Sequence, residues 1–182
     1  MLSDLRPDEL ISKLPLEPGM QIVDFGCGTG FLTLPLAQKI SPNGRVLAID
    51  MVPEYLETIR LKADNQKLGY SITTKCVDLT LPEATGLSQS SIGGVVMANI
   101  LFQNSETDKK ALLTEVKRIL RPDGFLLVVE WHIEDLPSDD NLYPLSKEDI
   151  IKFLTESGFT LTKELSLSST THWAFLFSKS EL

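Results

Sequence analysis

Three glycines spaced by one residue are the most chemically suggestive feature of the sequence: Gly26, Gly28 and Gly30, within the stretch DFGCGTG. They follow a short apolar run and precede an amphipathic one, which predicts a turn from a strand into a helix. Because glycine has no Cβ, the backbone can bend sharply there, and a ligand can lie against bare amides at the helix N-terminus. Such a turn also serves as a plain connector, so by itself it indicates only a candidate nucleotide site.

The spacing of these glycines discriminates between classes of nucleotide. The dinucleotide fingerprint G-x-G-x-x-G requires a glycine where this chain has Phe31. A phosphate-binding loop requires a lysine after its last glycine, and none follows here. The pattern therefore argues against a nicotinamide oxidoreductase and against a nucleoside-triphosphate hydrolase.

Three aspartates lie at the ends of successive apolar runs: Asp24 beside the glycine turn, then Asp50 and Asp78. The carboxyl ends of parallel strands meet at one edge of a sheet, so we expect these carboxylates to face one ligand. Asp50 can accept hydrogen bonds from both hydroxyls of a ribose, and Asp78 can accept one from an adenine amino group, with Val77 or Leu79 against the ring. Asp24 can satisfy the loop amides or an amino-acid ammonium. Asp50 has an alternative as a helix cap ahead of Pro53.

The elements that must position these residues alternate along the chain. Short apolar runs predict five strands, at residues 20–25, 45–50, 71–77, 92–98 and 124–131. Amphipathic stretches with recognisable ends predict helices at 31–40, 53–68, 105–120 and 146–158, and Arg121 to Gly124 is predicted to be a turn. This alternation is typical of a parallel sheet with helices on both faces.

The end of the chain has a different pattern. Two β-prone runs, 159–167 and 171–178, are separated by only a few Ser and Thr residues, which is too short for a parallel crossover and predicts an antiparallel pair. The expected fold class is therefore α/β, a Rossmann-like seven-stranded and mostly parallel sheet with an antiparallel closing strand and helices on both faces. We expect one domain over residues 1–182, with an N-terminal helix or cap in 1–17 and a loop insertion at 133–144.

Composition narrows the possible partners and compartments. The chain has 182 residues and a formal net charge of −8, so a nucleic-acid substrate is disfavoured unless a local basic patch exists. No signal peptide and no run long enough for a membrane span are recognised, which predicts a cytoplasmic protein. The only cysteines, Cys27 and Cys76, are too few for a disulfide framework or a metal site, and we expect both to be small packed side chains.

Taken together, these residues resemble the class I S-adenosylmethionine (SAM) dependent methyltransferases, in particular the small ubiquinone/menaquinone-biosynthesis-like (type 11) group. The resemblance covers about residues 18–179 and rests on VDFGCGTG at 23–30, AID at 48–50, VDL at 77–79, and LTEVKRILRPDG followed by FLLVV at 113–129. It implies SAM as methyl donor, S-adenosylhomocysteine (SAH) as product, and a small-molecule acceptor of unspecified identity.

The resemblance also implies roles for individual residues. Gly26, Gly28 and Gly30 would face the methionine portion of SAM, Asp50 the ribose, Met51 and Val52 the adenine, and Asp78 its amino group, while Ala98, Asn99 and Ile100 would flank the methionine carboxylate or the sulfonium. Two features depart from the family. Gly93 and Gly94 stand where an acid often begins the fourth strand, and no (Asn/Asp)-Pro-Pro-(Tyr/Phe) motif follows it, which disfavours methylation of amino groups on bases or glutamine.

Transfer to a hydroxyl acceptor benefits from a general base, and the candidates are His132, His172 and Glu130. Each histidine has a structural alternative as a hydrogen-bond partner, flanked by Trp131 and Trp173. Two further hypotheses differ in class from a methyltransferase: a regulatory or degenerate SAM-binding protein, and a nicotinamide oxidoreductase, which the position of Phe31 argues against. The short N-terminal segment suggests an open site that a partner subunit would complete, so a homodimer is considered.

Overall fold

The computed structural model describes residues 4–136 and 142–180. Its strands are β1 Gln21–Phe25, β2 Arg45–Asp50, β3 Ile72–Cys76, β4 Ile92–Ala98, β5 Leu120–Trp131, β6 Phe159–Glu164 and β7 His172–Lys179. Its α-helices are α1 Pro7–Ser12, α2 Thr33–Ile40, α3 Pro53–Asn65, α4 Glu106–Ile119 and α5 Lys147–Glu156, and two short 3-10 turns lie at Leu101–Gln103 and Ile133–Asp135. Among the residues described, no helix has the length and apolar character needed to cross a membrane.

The strands form one sheet in the order β3-β2-β1-β4-β5-β7-β6. The first five strands are parallel to one another, and β7 runs antiparallel to both β5 and β6. The reversal arises because only a short segment connects β6 to β7, too short to cross the sheet. The predicted fold class, with its antiparallel closing strand, is therefore confirmed.

Two apolar layers cover the sheet. Buried side chains of α1, α2 and α3 pack on one face together with Val46, Ala48 and Val96, while those of α4 and α5 pack on the other face with Val95 and Met97. Neighbouring residues of one strand contribute to opposite layers because side chains alternate across a strand. The central strands read as continuous apolar runs since both of their faces are covered.

Most predicted helix ends are close to the observed ones. The hydroxyls of Ser105 and Ser146 accept hydrogen bonds from the amides three residues later, at 3.3 and 3.1 Å, and so cap α4 and α5 as the sequence predicts. The third helix begins at Pro53 but ends at Asn65, earlier than predicted. Lys67 adopts a left-handed conformation with φ of 59°, which terminates the helix before Gly69 is reached.

Other local predictions need correction. Residues 121–124, predicted as a turn, belong to an irregular stretch of β5, where the pairing jumps from Ile92–Leu120 to Gly94–Phe125. Cys27 is buried as expected, but Cys76 is exposed because it ends the edge strand β3. Within the expected insertion at 133–144, residues 137–141 lie outside the described part of the chain.

The two glycines that begin β4 have a packing role. A Cβ on Gly94 would lie 2.5 Å from the ring of Phe125 on the neighbouring strand, so the ring packs directly on the glycine backbone. A Cβ on Gly93 would meet chiefly the flexible end of Met20, at 3.1 Å. The departure from the family pattern at these positions therefore accommodates an aromatic ring on the sheet.

We predict that Gly94→Ala lowers the free energy of unfolding by about 1–3 kcal/mol, because a rigid ring must move to admit the methyl group. Gly93→Ala is the matched control and should have a smaller effect, since a methionine side chain can shift. Urea unfolding of both variants measures the difference, and equal losses of stability would contradict this explanation.

Candidate functional site

A cavity of about 480 Å³ opens at the carboxyl ends of β1, β2 and β4. The sheet order reverses at β1, whose two neighbours are β2 and β4, so the loops that follow β1 and β4 run to opposite sides and leave a crevice. Its volume is in the range of sites for small molecules and cofactors. Its walls include Asp24, Gly26, Cys27, Gly28, Thr29, Phe31, Asp50, Met51, Tyr55, Val77, Asp78, Asn99, Phe102, Gln103, Asn104 and Trp131.

The glycine loop forms one wall of the cavity, and its three positions require glycine for different physical reasons. All three have positive φ: 65° at Gly26, 52° at Gly28 and 86° at Gly30. A Cβ on Gly26 or Gly30 would lie 2.9 Å from Ile100 or Ile59, whereas a Cβ on Gly28 would meet no atom within 4 Å. Gly28 is therefore the glycine that presents bare backbone to the cavity. Gly30 does not line the cavity and instead allows close packing on α3.

Asp50 ties the glycine loop to the end of β2. Its Oδ2 accepts a hydrogen bond from the amide of Gly28 at 2.9 Å, and its Oδ1 accepts from the amide of Val52 at 3.0 Å. Each oxygen of a carboxylate can accept a second bond, so this geometry leaves acceptor capacity for ligand hydroxyls. The carboxylate thus shapes the turn before α3 and also lines the cavity.

Asp24 is the buried acid of the site, with 2% of its surface exposed. The hydroxyl of Thr33 donates to its Oδ2 at 2.6 Å. Burial and, to a smaller extent, the negative charge of Asp50 together raise the pKa of Asp24 to about 7. A cationic group in the cavity would favour the ionised form of Asp24 and would itself be stabilised there.

The opposite end of the cavity is bounded by residues that follow β2 and β3. Asp78 accepts two hydrogen bonds from Thr80 on one oxygen, from the amide at 2.9 Å and from the hydroxyl at 2.7 Å, and these bonds lower its pKa. Met51, 67% exposed, and Tyr55, 42% exposed, form the rim. Together with Val77, this end can hold a flat ring between apolar groups and a carboxylate.

Asn99 stands on the other side of the cavity, just after β4. Its φ is 56°, and its backbone amide donates to the carbonyl of Val129 at 2.8 Å. The side-chain Nδ2 lies 3.2 Å from Nε2 of His172, while Oδ1 is buried and accepts no hydrogen bond from the described residues. Phe102, which also lines the cavity, follows in the 3-10 turn.

The three candidate general bases lie behind the cavity wall rather than in it. Glu130 is 3% exposed and accepts a hydrogen bond from the amide of Leu101 at 2.7 Å, so its carboxyl group holds the turn after β4. His172 is also 3% exposed, and its ring lies 4.1 Å from that of Trp131, centroid to centroid. The ring of His132 lies 4.4 Å from that of Trp173. Among the described residues, none of the three therefore lines the cavity.

The structure thus brings together most of the residues singled out from the sequence. The cavity wall contains Asp24, Gly26, Gly28, Asp50, Met51, Val77, Asp78 and Asn99, whereas Gly30, Glu130, His132 and His172 are elsewhere. Sequence reasoning missed Tyr55, Gln103 and Asn104 in the wall. The sequence could have indicated Tyr55, since it lies in the first turn of the helix that follows Asp50. It could not have indicated Gln103 and Asn104, because the direction of the turn after β4 depends on its tertiary contacts.

A family model described as a methyltransferase domain matches residues 16–166. This span is most of the chain and contains the glycine loop and the acids of the cavity. The chain belongs to the methyltransferase-domain family. The resemblance to SAM-dependent methyltransferases of class I is thereby confirmed.

Curated and solved relatives agree with the family and the fold. This methyltransferase domain is 33% identical over 123 residues to the ubiquinone/menaquinone biosynthesis C-methyltransferase UbiE of Hahella chejuensis, covering 66% of this chain and 47% of that protein. A SAM-dependent methyltransferase from Aquifex aeolicus superposes with a TM-score of 0.80 at 21% identity, covering 97% and 90% of the two chains. The [4+2]-cyclase SpnF also superposes with a TM-score of 0.80, at 16% identity, covering 96% of this chain and 80% of that chain.

These comparisons differ in what they establish. The chain spans about half of the UbiE relative, so they show the family but leave the activity of this chain as a proposal. The two solved structures, both below 25% identity, show the fold. A protein named as a cyclase shares that fold, so the chemistry of this methyltransferase domain depends on the residues of its cavity rather than on the fold.

Burial of Glu130 predicts a pH dependence of stability. Burial raises the pKa of Glu130 from an ordinary value of 4.5 to about 8, so the folded protein retains a proton that the unfolded chain releases. Stability should therefore fall as the pH rises from about 4.5 to about 8 and level off above that. In Glu130→Gln the fall in melting temperature between pH 6 and pH 8.5 should be smaller than in the wild type.

The exposed Glu134 provides the matched control. Glu134→Gln should show the same fall in melting temperature between pH 6 and pH 8.5 as the wild type. Because the buried Asp24 also has a raised pKa, the melting temperature of every variant should still depend on pH to some extent. Differential scanning fluorimetry across the pH series measures these slopes. Identical slopes for Glu130→Gln and the wild type would contradict the role assigned to burial.

Proposed function

We propose that this chain binds SAM in the cavity at the ends of β1, β2 and β4 and transfers its methyl group to a small-molecule acceptor. The observation that carries the proposal is Gly28, whose bare backbone faces open space in a cavity that Asp24 and Asp50 also line. A cofactor with an adenosine at one end and an ammonium at the other fits this set of acceptors. The family assignment supports the same reading.

The chemistry of the wall fits each part of SAM. Asp50 retains acceptor capacity for two ribose hydroxyls, and Asp78 with Val77 and Met51 suits an adenine ring. At the other end, the buried carboxyl of Asp24 and the unpartnered Oδ1 of Asn99 are two acceptors for an ammonium group. The polar donors of the ligand thus have partners, as a buried site requires.

SAM supplies a methyl group on a sulfonium, which an acceptor displaces in line. The residues of this chain would bind and orient the two reactants and exclude water between them. Phe31, Phe102 and Trp131 provide an apolar wall for the acceptor, and Gln103 and Asn104 provide amide groups that can hydrogen-bond to it. The protein's contribution is then chiefly alignment.

The cavity wall restricts the class of acceptor. Among the described residues that line it there is no histidine, lysine or arginine, and Glu130 is engaged with backbone amides behind the wall. A thiol, amine or carbanion acceptor needs little proton transfer from the protein, whereas a hydroxyl benefits from a base. We therefore favour an acceptor whose nucleophilic atom is reactive without one.

The lack of histidine, lysine and arginine among the described residues of the cavity wall also favours one alternative, a SAM-binding protein without transferase activity. Incubation with SAM and candidate thiol, amine and carbanion acceptors, followed by detection of SAH, separates the two functions. A single domain over residues 1–182, a cytoplasmic location and a homodimer stay predictions that other experiments must test.

We predict that Asp50→Ala weakens SAH binding by about 1–3 kcal/mol, because it leaves ligand hydroxyls without acceptors. Isothermal titration calorimetry measures the affinity, and Asp64→Ala, at an exposed aspartate of α3, is the control that should bind as the wild type does. Unchanged affinity in Asp50→Ala would assign this residue to the loop alone. Tight binding of NADH by the wild type, with no binding of SAM or SAH, would overturn the proposed cofactor.

Gly28→Ala tests the open backbone directly. A methyl group at this position would contact no protein atom within 4 Å but would project into the cavity, so we expect SAH affinity to fall about tenfold or more. Gly19→Ala is the matched control, because Gly19 also has positive φ, 89°, and lies outside the cavity wall. Both variants should lose similar stability in thermal unfolding. A similar loss of SAH affinity in both variants would mean that backbone strain alone explains the effect.

A further inference from the structure

A chain of polar groups connects the N-terminal segment to the cavity through His172. On one side of the ring, Nε2 lies 3.2 Å from Nδ2 of Asn99. On the other side, Nδ1 lies 2.8 Å from the hydroxyl of Thr171 and 3.6 Å from Oδ1 of Asp4. The Thr171 hydroxyl in turn bonds to Oδ1 of Asp4. The histidine side chain itself has no exposed surface.

The charge of Asp4 is fixed by its surroundings. Its carboxylate accepts hydrogen bonds from the hydroxyl of Ser169 at 2.8 Å and from the amide of Thr170 at 2.8 Å, in addition to the bond from Thr171. These bonds hold the pKa of Asp4 well below its usual range, whereas burial lowers the pKa of His172. At neutral pH the pair is therefore an ionised aspartate and an uncharged imidazole.

The positions of the hydrogen atoms then follow from the acceptors. Asp4 can only accept, so the Thr171 hydroxyl donates to it, and that hydroxyl oxygen is left to accept from Nδ1–H of His172. An uncharged imidazole with its hydrogen on Nδ1 has an acceptor at Nε2. Asn99 must therefore turn its NH₂ group toward the histidine, because its oxygen there would face another acceptor.

This orientation leaves one polar atom of the Asn99 side chain without a partner in the described part of the chain. With Nδ2 directed at His172, Oδ1 is the remaining polar atom of the side chain, and it is buried without a partner among the described residues. Asn99 itself lines the cavity, and its carbonyl accepts from Nε2 of Gln103 at 2.5 Å, so its backbone is also held. The ring of Trp131, stacked on His172, restricts rotation of the imidazole.

We propose that His172, held by Asp4, is a positioning residue that orients the Asn99 amide so that its oxygen accepts a hydrogen bond from the ammonium group of the bound cofactor. The inference rests on the proposed SAM site. An ammonium suits this oxygen because it carries only donors, and Asp24 provides a second acceptor in the same cavity. A carboxylate at the same place would be repelled by the amide oxygen.

The test compares two ligands that differ at the amino-acid end. SAH carries the ammonium, whereas 5′-methylthioadenosine has the same adenosine and sulfur but no ammonium. In His172→Phe the ring can still stack on Trp131, but Asn99 loses its acceptor and the amide can turn. We expect SAH to bind about tenfold more weakly or worse and methylthioadenosine to bind as to the wild type, by calorimetry.

Two further variants make the readout specific. His172→Gln supplies a side-chain oxygen to accept from Nδ2 of Asn99 and should restore most of the SAH affinity. Asn99→Leu removes Oδ1 and should weaken SAH binding as much as His172→Phe does. The double variant should lose no more SAH affinity than either single variant. Should His172→Phe fail to fold, Asp4→Asn, at a partly exposed side chain, should weaken SAH several-fold and leave methylthioadenosine unaffected.

The outcomes separate this inference from the proposed function. If the wild type binds neither SAH nor methylthioadenosine, the proposed cofactor is wrong and the inference falls with it. If the wild type binds SAH and His172→Phe binds it equally well, the inference alone is overturned. Equal weakening of both ligands in His172→Phe would assign the residue a purely structural role and would also overturn it.

Discussion

The site depends on one topological constraint, the position of β1 between β2 and β4. The chain leaves β1 through the glycine loop toward α2 on one face, and it leaves β4 toward α4 on the other. The connections that follow β1 and β4 therefore diverge, and neither of them fills the crevice between them. The carboxyl and amide groups of Asp24, Asp50, Asp78 and Asn99 all lie at or just after a strand end at this edge, so strand order brings together residues that are far apart in the sequence.

Within that frame, carboxyl groups do much of the positioning. Asp50 holds two backbone amides, and Glu130 holds the turn that carries Phe102 into the wall. Burying a carboxyl group raises its pKa, because the ionised form loses its water, unless hydrogen bonds compensate. The raised pKa values of Asp24 and Glu130 indicate that hydrogen bonds do not fully offset the loss of water around these groups. Holding the site in this shape therefore costs some folding free energy.

Much of this could be predicted from the sequence, and the limits have physical causes. The strands, the caps at Ser105 and Ser146, and the gathering of Asp24, Asp50 and Asp78 follow from local patterns and from the geometry of parallel strands. The packing roles of Gly30 and Gly94 could not be predicted, because each depends on a side chain from a distant element, Ile59 or Phe125. Likewise, a histidine or glutamate near either end of a strand can face the cavity or the layer behind it, and only tertiary packing decides which.

No histidine, lysine or arginine lines the described cavity wall, and Glu130 and His172, which lie outside it, share one interpretation. A group that donates or accepts a proton during a reaction must reach the reacting atoms, whereas a group that orients others is more effective when packed and dry. Glu130 and His172 meet the second requirement: both are 3% exposed, and each bonds to a residue of the segment following β4. That segment also provides the Oδ1 atom of Asn99 and the apolar ring of Phe102. The residues behind the wall therefore control the chemistry of the cavity by holding one short segment in place.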